Sequence, residues 1–459
     1  MLTLDHASPY SLTEQIVRAL IDKIGRGVLA SGSRLPSVRG LAAQTGASTF
    51  TVAEAYNRLV ASGWVEARRA RGYFVASART APPVPTARPP VDDAWLLRHI
   101  YEDPGLIVPA GCGWLPEDWL YGAGVRAALR RSARSAAVAG YGHPQGLPAL
   151  RRHLQWRLAL RGIDAAPEQL LLTQGASQGL DLAMRSLVRP GETVLVDAPG
   201  YSNLLAALHS HGARPIGVPR TAHGPDPDEL NRLAQQWRPV AFFTNSALQN
   251  PTGSSTTAAT AFRILQTAER HDFRLVEDDP FADLAVEPQA TLASLDGLRR
   301  VVHIGSFSKT VSPALRQGFV AADAATIAAM TRLRMAVGLT GSEIMEATTL
   351  AIVEDGRHRA HLERLRERLG EAQAKVAEQL DRLGWQLFMR PRAGMFLWAA
   401  APQGTDPDAL TDRAAAAGIA LAPGRFYLTT SERSNWFRFN VAWADDSRLY
   451  DFLLRAESR

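Results

Sequence analysis

Residues 301–316 read VVHIGSFSKTVSPALR. A strand-like run ends at Gly305, Ser306-Phe307-Ser308-Lys309-Thr310 follows, and Arg316 lies seven residues beyond Lys309. A lysine set between hydroxyls directly after a buried strand is badly placed for surface solubility. It is well placed to form a Schiff base with an aldehyde, with the hydroxyls and Arg316 holding a phosphate on the same molecule. Only three of the 51 basic side chains are lysines, Lys23, Lys309 and Lys375. Arginine holds a charge equally well, but it cannot serve as a tunable amine.

The same punctuation recurs on either side. Apolar runs alternate with helix-like ones: QLLLTQG and a helix from Ser177, ETVLVDAPG and a helix from Ser202, VAFFTNS and a helix from Ser255, then FRLVEDD, RVVHIGSFS and QGFVAA. Short buried strands alternating with helices predict an α/β body with a large, mainly parallel sheet covered on both faces. Open sheets of this kind bind ligands at the carboxyl ends of their strands, and the chemically distinctive residues fall there. Gly175-Ala176-Ser177 offers backbone N–H groups at a helix start, Tyr201 an aromatic face, Asn250 an amide, and Glu277-Asp278-Asp279 a carboxylate for a protonated ring nitrogen. Residues 356–384 predict a long amphipathic helix, and FLWAA, IALAP and WFRFNVA short strands of a smaller α+β lobe.

The net charge is +6, and residues 1–80 hold ten basic and five acidic side chains, so a sixth of the chain carries nearly all the excess. That asymmetry points to a nucleic-acid-binding segment on a near-neutral body. Residues 77–93, SARTAPPVPTARPPVDD, contain five prolines and predict a linker, which divides the chain into domains at 1–76 and 94–459. The first domain reads as three helices and a hairpin: residues 11–27, a short helix opened by Pro36, a third helix capped by Ser48, and strands joined through Arg69, Ala70, Arg71 and Gly72. This is the pattern of a winged helix-turn-helix, whose third helix enters the major groove. A single cysteine, Cys112, precludes an internal disulfide. The start of the chain lacks a signal-peptide pattern and no run of 18 apolar residues occurs. Together these lead us to expect a cytoplasmic protein, nucleoid-associated when bound to DNA.

Residues 1–76 resemble the GntR-type DNA-binding domain through Arg34-Leu35-Pro36-Ser37-Val38-Arg39, Leu41-Ala42, Thr51-Val52, Ala55-Tyr56, Leu59, Gly63 and Arg71-Gly72. The resemblance implies that Arg34, Arg39, Ser48, Thr49, Thr51, Arg71 and Gly72 lie at double-stranded DNA. Many relatives carry a basic residue where this chain has Thr49-Phe50, so their base preference does not transfer. Residues 95–459 resemble the fold-type I aminotransferases, which implies pyridoxal 5′-phosphate as cofactor. By that resemblance Lys309 is the Schiff-base lysine, Asp278 the partner of the pyridine nitrogen, Asn250 the donor to the 3′-hydroxyl and Tyr201 the stacking ring. Gly175, Ala176, Ser177, Ser306, Ser308 and Arg316 hold the phosphate, Tyr141 reaches the phosphate in the partner of a head-to-tail homodimer, and Arg438 grips a carboxylate. Phe281 stands where such enzymes commonly carry a tyrosine that bonds the 3′-hydroxyl.

Together the halves resemble the MocR subgroup of GntR regulators. The resemblance implies a regulator binding paired DNA half-sites and sensing a small amino compound or the cofactor itself. The alternative is a working aminotransferase with a DNA-binding appendage.

Overall fold

The computed structural model describes residues 4–5, 11–25, 28–68, 71–76, 100, 102–103, 105–135, 140–287, 289–430 and 432–457. The linker expected over 77–93 and the wing residues Arg69 and Ala70 lie outside the described residues. The chain divides into two compact units, Met1–Pro90 and Val91–Arg459.

The first unit contains α1 (Leu12–Gly25), α2 (Val38–Thr45), α3 (Thr49–Ala61) and the antiparallel hairpin β1 (Val65–Arg68) and β2 (Gly72–Val75). Ile16, Leu20, Leu41, Val52, Tyr56 and Leu59 meet in one core. Ser37 is the N-cap of α2, its Oγ accepting from the Gly40 N–H. Pro36 therefore precedes the cap and is not in the first turn, contrary to the sequence reading. Its carbonyl has another use, accepting 2.8 Å from the Tyr56 hydroxyl and tying α3 to this turn. Gly46 ends α2 at φ 70°, a left-handed conformation that glycine adopts without a Cβ penalty. Ser48 caps α3 by accepting from the Thr51 N–H.

The second unit is built on an eight-stranded sheet of β3 (Leu170–Thr173), β4 (Thr193–Ala198), β5 (Arg214–Thr221), β6 (Gly224–Pro225), β7 (Ala241–Thr244), β8 (Arg274–Asp279), β9 (Val301–Ser306) and β10 (Gly318–Ala321). Their order is β3-β10-β9-β8-β7-β4-β5-β6. The run β9-β8-β7-β4-β5 is parallel, while β10 is antiparallel to both its neighbours and β6 to β5. The sheet is thus mixed, with one reversed strand inside it. Every residue of β3, β7 and β10 is buried, as strands covered on both faces require. Helices start at Ala176 and Ser202, but the third begins at Ala258 under a Thr257 cap, not at Ser255. The Ser255 hydroxyl is taken by the Leu248 N–H, 3.0 Å away.

The smaller lobe is an antiparallel sheet, order β11-β12-β14-β13, of β11 (Gln386–Leu387), β12 (Phe396–Ala400), β13 (Ala422–Pro423) and β14 (Trp436–Asn440). The helix Gly356–Arg382 packs on it through Leu365, Leu369, Val376 and Leu380. IALAP contributes only its last two residues as strand, because Ile419 and Ala420 bond the Val108–Gly111 segment instead. Among the described residues no helix is long and apolar enough to cross a membrane.

Candidate functional sites

A cavity of about 1080 Å³ opens at the carboxyl ends of the parallel strands. Of the body residues singled out in the sequence, all but Gly175 and Tyr141 line it: Lys309, Asp278, Asn250, Tyr201, Ala176, Ser177, Ser306, Ser308, Arg316 and Arg438.

Lys309 follows β9 and is half-buried, its Nζ donating 2.7 Å to the Gly113 carbonyl. Burial, together with the Arg438 and Arg316 charges, pushes its amine down to about 8, against the pull of Asp278 and Cys112. Asp278 sits on β8 between two other acids, and the period-two alternation of a strand separates their roles. Glu277 and Asp279 face one side. There Glu277 lies 3.0 Å from His303 Nδ1 and Asp279 accepts 2.5 Å from Arg161. Asp278 faces the cavity. Among the described residues its Oδ1 is buried without a hydrogen-bond partner, and burial beside Asp279 pushes its carboxyl up to about 7.

Arg438 lies on β14, buried, with its guanidinium 4.6 Å from the Phe396 ring centre. Its Nη1 donates 2.8 Å to Asn250 Oδ1 and its Nη2 donates 2.6 Å to the Gly111 carbonyl. A guanidinium has no acceptor, so the contact fixes the Asn250 amide with oxygen toward Arg438 and leaves Nδ2 as the donor. Phe281 is buried in the cavity wall, edge-on to Phe396 at 5.6 Å.

Sequence reasoning missed Asn245. Its N–H donates to Asp197 (3.0 Å), its Oδ1 accepts from the Asn250 N–H (3.0 Å), and its Nδ2 donates to the Asp278 carbonyl. Asp197 is in turn paired with the buried Arg220 at 3.0 Å. Asn245 falls at the end of VAFFTNS, so its strand-end position was a usable signal. Gly111 and Gly113 carried none, since they come from a distant loop.

The remaining corner is built from backbone. Gly175, at φ 78°, precedes the helix Ala176–Leu187, and a Cβ there would stand 2.8 Å from Arg316 Nη2. Arg316 itself has φ 50° and donates 3.1 Å to the Gln174 carbonyl. Holding a non-glycine residue in the left-handed region costs energy and marks a place where side-chain direction matters. Ser306 Oγ accepts from the Ser308 N–H, and Ser308 Oγ is buried with no hydrogen-bond partner among the described residues. Tyr141 is 81% exposed and outside the cavity wall.

In the first unit Arg34, Arg39, Ser48, Thr49 and Arg71 are exposed, and Thr51 and Gly72 are half-buried. A Cβ on Gly72 would lie 3.5 Å from the Arg34 guanidinium, so Arg34 runs beside the wing. Ser48 Oγ and Thr51 Oγ1 are 2.8 Å apart and bond each other.

Comparison with known proteins agrees with both halves. Residues 12–75 match the gntR family of bacterial regulatory proteins and residues 123–454 match the aminotransferase class I and II family. The chain is 30% identical to the HTH-type transcriptional regulator TauR of Rhodobacter capsulatus, over 93% of this chain and 92% of that protein. It is 29% identical to the probable rhizopine catabolism regulatory protein MocR of Rhizobium meliloti, over 92% and 88%. Among solved structures, the multiple substrate aminotransferase from Thermococcus profundus superposes with a TM-score of 0.73 at 25% identity, over 81% of this chain and 95% of that one. Fold and site thus define a DNA-binding transcriptional regulator with an aminotransferase-like body. The chain belongs to the MocR subgroup of the GntR regulators.

The cofactor of that body is pyridoxal 5′-phosphate. The cavity fits it on the features this chain shows. They are a depressed amine on Lys309, a carboxylate oxygen on Asp278 and a hydroxyl on Ser308 that have no partner among the described residues, and a corner that only glycine at 175 leaves open to Arg316.

Proposed function

We propose that this regulator senses a small amino compound, or pyridoxal phosphate itself, in the body and answers by changing how its winged helices engage paired half-sites. The domain limits we assign are 1–76 for DNA binding, 77–93 for the linker and 94–459 for the sensor; the compact units divide at 90/91, inside that linker. Lys309 would hold the cofactor covalently, Asp278 its ring nitrogen, Asn250 its 3′-oxygen and Tyr201 its ring. Gly175, Ala176, Ser177, Ser306, Ser308 and Arg316 would hold its phosphate. When bound, the cofactor supplies an electron sink for amines. Arg438 orients Asn250 and offers its remaining N–H groups to a carboxylate. Arg34, Arg39, Ser48, Thr49, Thr51, Arg71 and Gly72 form the DNA face.

The chain acts as a head-to-tail homodimer in the cytoplasm, with Tyr141 completing the partner's site. Its support is an exposed apolar group: Tyr141, Met335, Val337 and Leu339 are all exposed, and the Gly142 backbone adjoins Gly341 and Glu343.

One observation carries sensing over turnover. Phe281 fills the cavity wall beside the Asp278 strand without a hydroxyl, so Asn250 is left as the main donor to the cofactor's 3′-oxygen. A second reading, an active aminotransferase, is favoured by the depressed Lys309 amine. The full chain is to be titrated with duplex from upstream of its own gene, with and without cofactor and candidate amines, while keto-acid formation is followed in parallel. Specific binding that shifts with an amine that is not turned over supports the sensor. Efficient transamination with no specific binding rejects it.

Two substitutions probe the site. Phe281→Tyr should return a donor to the 3′-oxygen and draw electron density from it. The pH midpoint of the bound cofactor's visible absorbance should then fall, by about one unit. Gly175→Ala forces a Cβ against Arg316 in a left-handed backbone. It should weaken cofactor binding roughly ten- to hundred-fold, the worth of one charged hydrogen bond, read by equilibrium titration of the visible band.

A further inference from the structure

Helix α3 buries Val52, Ala55, Tyr56 and Leu59. Phe50 stands two residues before Val52, on the opposite face, and is 80% exposed. Among the described residues of α3 it is the one large apolar side chain left in water. Nothing in helix formation asks for it, since phenylalanine is a poorer helix former than alanine, glutamine or lysine. It sits in the first turn, the part of a recognition helix that meets base edges.

The hydroxyls beside it in the chain also serve the helix cap. The Ser48 and Thr51 hydroxyls bond each other at 2.8 Å, and Ser48 Oγ also caps the Thr51 N–H. The cations assigned to the DNA face, Arg34, Arg39 and Arg71, are exposed and suited to phosphates. The apolar group offered to a base at this end is the exposed aromatic ring of Phe50. The major groove offers one apolar mark for such a ring, the C5 methyl of thymine.

We propose that Phe50 is a specificity-determining residue that reads a thymine in each half-site through that methyl group. The proposal rests on the DNA-binding role of the first unit and names the chemistry of one operator position.

The test uses the full chain loaded with pyridoxal phosphate. Bound duplexes are selected from a random pool, and each conserved thymine in the enriched sequence is replaced singly by deoxyuridine, which deletes only the methyl. The expected result is one thymine per half-site whose replacement weakens wild-type binding roughly four-fold, the worth of one buried methyl. F50A should bind the thymine and uracil duplexes equally. The uracil scan needs no variant, and an 80% exposed side chain can be removed without touching the core. If no uracil weakens the wild type, or if F50A keeps the same uracil penalty, the proposal is overturned. If no duplex is enriched, the DNA-binding reading fails and the proposal with it.

Discussion

Lys309→Ala is expected to abolish covalent retention of pyridoxal phosphate. After borohydride reduction and denaturation the wild type should carry the cofactor's mass and the variant none; Lys309→Arg should behave like alanine, because a guanidinium does not condense with an aldehyde under these conditions. The fold should survive. The Lys309 amine is held down at about 8 by burial, so the native state binds this proton less tightly than the unfolded chain. Its contribution therefore rises with pH between about 8 and 10 and is unfavourable at neutral pH. Removing the amine lifts that penalty and loses one hydrogen bond, to the Gly113 carbonyl. The melting temperature should stay within a few degrees of the wild type, about what one such bond is worth. Cofactor mass persisting on the alanine variant would reject Lys309 as the attachment point.

Asp278→Asn is expected to reverse sign with the cofactor. The buried carboxyl titrates at about 7, not near 4. Between those values the folded chain holds a proton that the unfolded chain has lost, so stability declines as pH rises through the window and the full penalty applies above it. That penalty is at most about 4 kcal/mol. Without added cofactor the asparagine variant should resist urea better than the wild type at pH 8, with the gap closing toward pH 4. With pyridoxal phosphate the order should invert, since a neutral amide offers a protonated ring nitrogen no countercharge. Equal stabilisation of both proteins by the cofactor would remove Asp278 from the role assigned to it.

The division of labour between sequence and structure follows from what local chemistry encodes. The helix Gly356–Arg382, the winged helix and the strand ends bearing Asn250, Asp278 and Lys309 were legible because periodicity and punctuation are local. The reversed direction of β10 was not, because QGFVAA is equally apolar read either way. The helix start expected at Ser255 failed for a similar reason: the Leu248 N–H that takes its hydroxyl comes from the preceding turn, and residue type alone does not show that competition. The orientation of Asn250 depends on Arg438, 188 residues away, and no spacing rule reaches that far. Gly111 and Gly113 entered the site unannounced because they contribute carbonyls, which every residue has.

The three acids of β8 have a consequence for descent. Glu277 and Asp279 answer to His303 and Arg161 on one side of the sheet, and Asp278 answers to the cavity on the other. A slip of one residue would turn Asp278 toward His303, bring Glu277 or Asp279 to the cavity, and break the contacts those two make with His303 and Arg161. A lineage can therefore exchange side chains around this strand far more freely than it can insert or delete a single codon within it. Variation among descendants of this gene should accumulate here as substitutions at constant length, with gaps confined to the loops on either side.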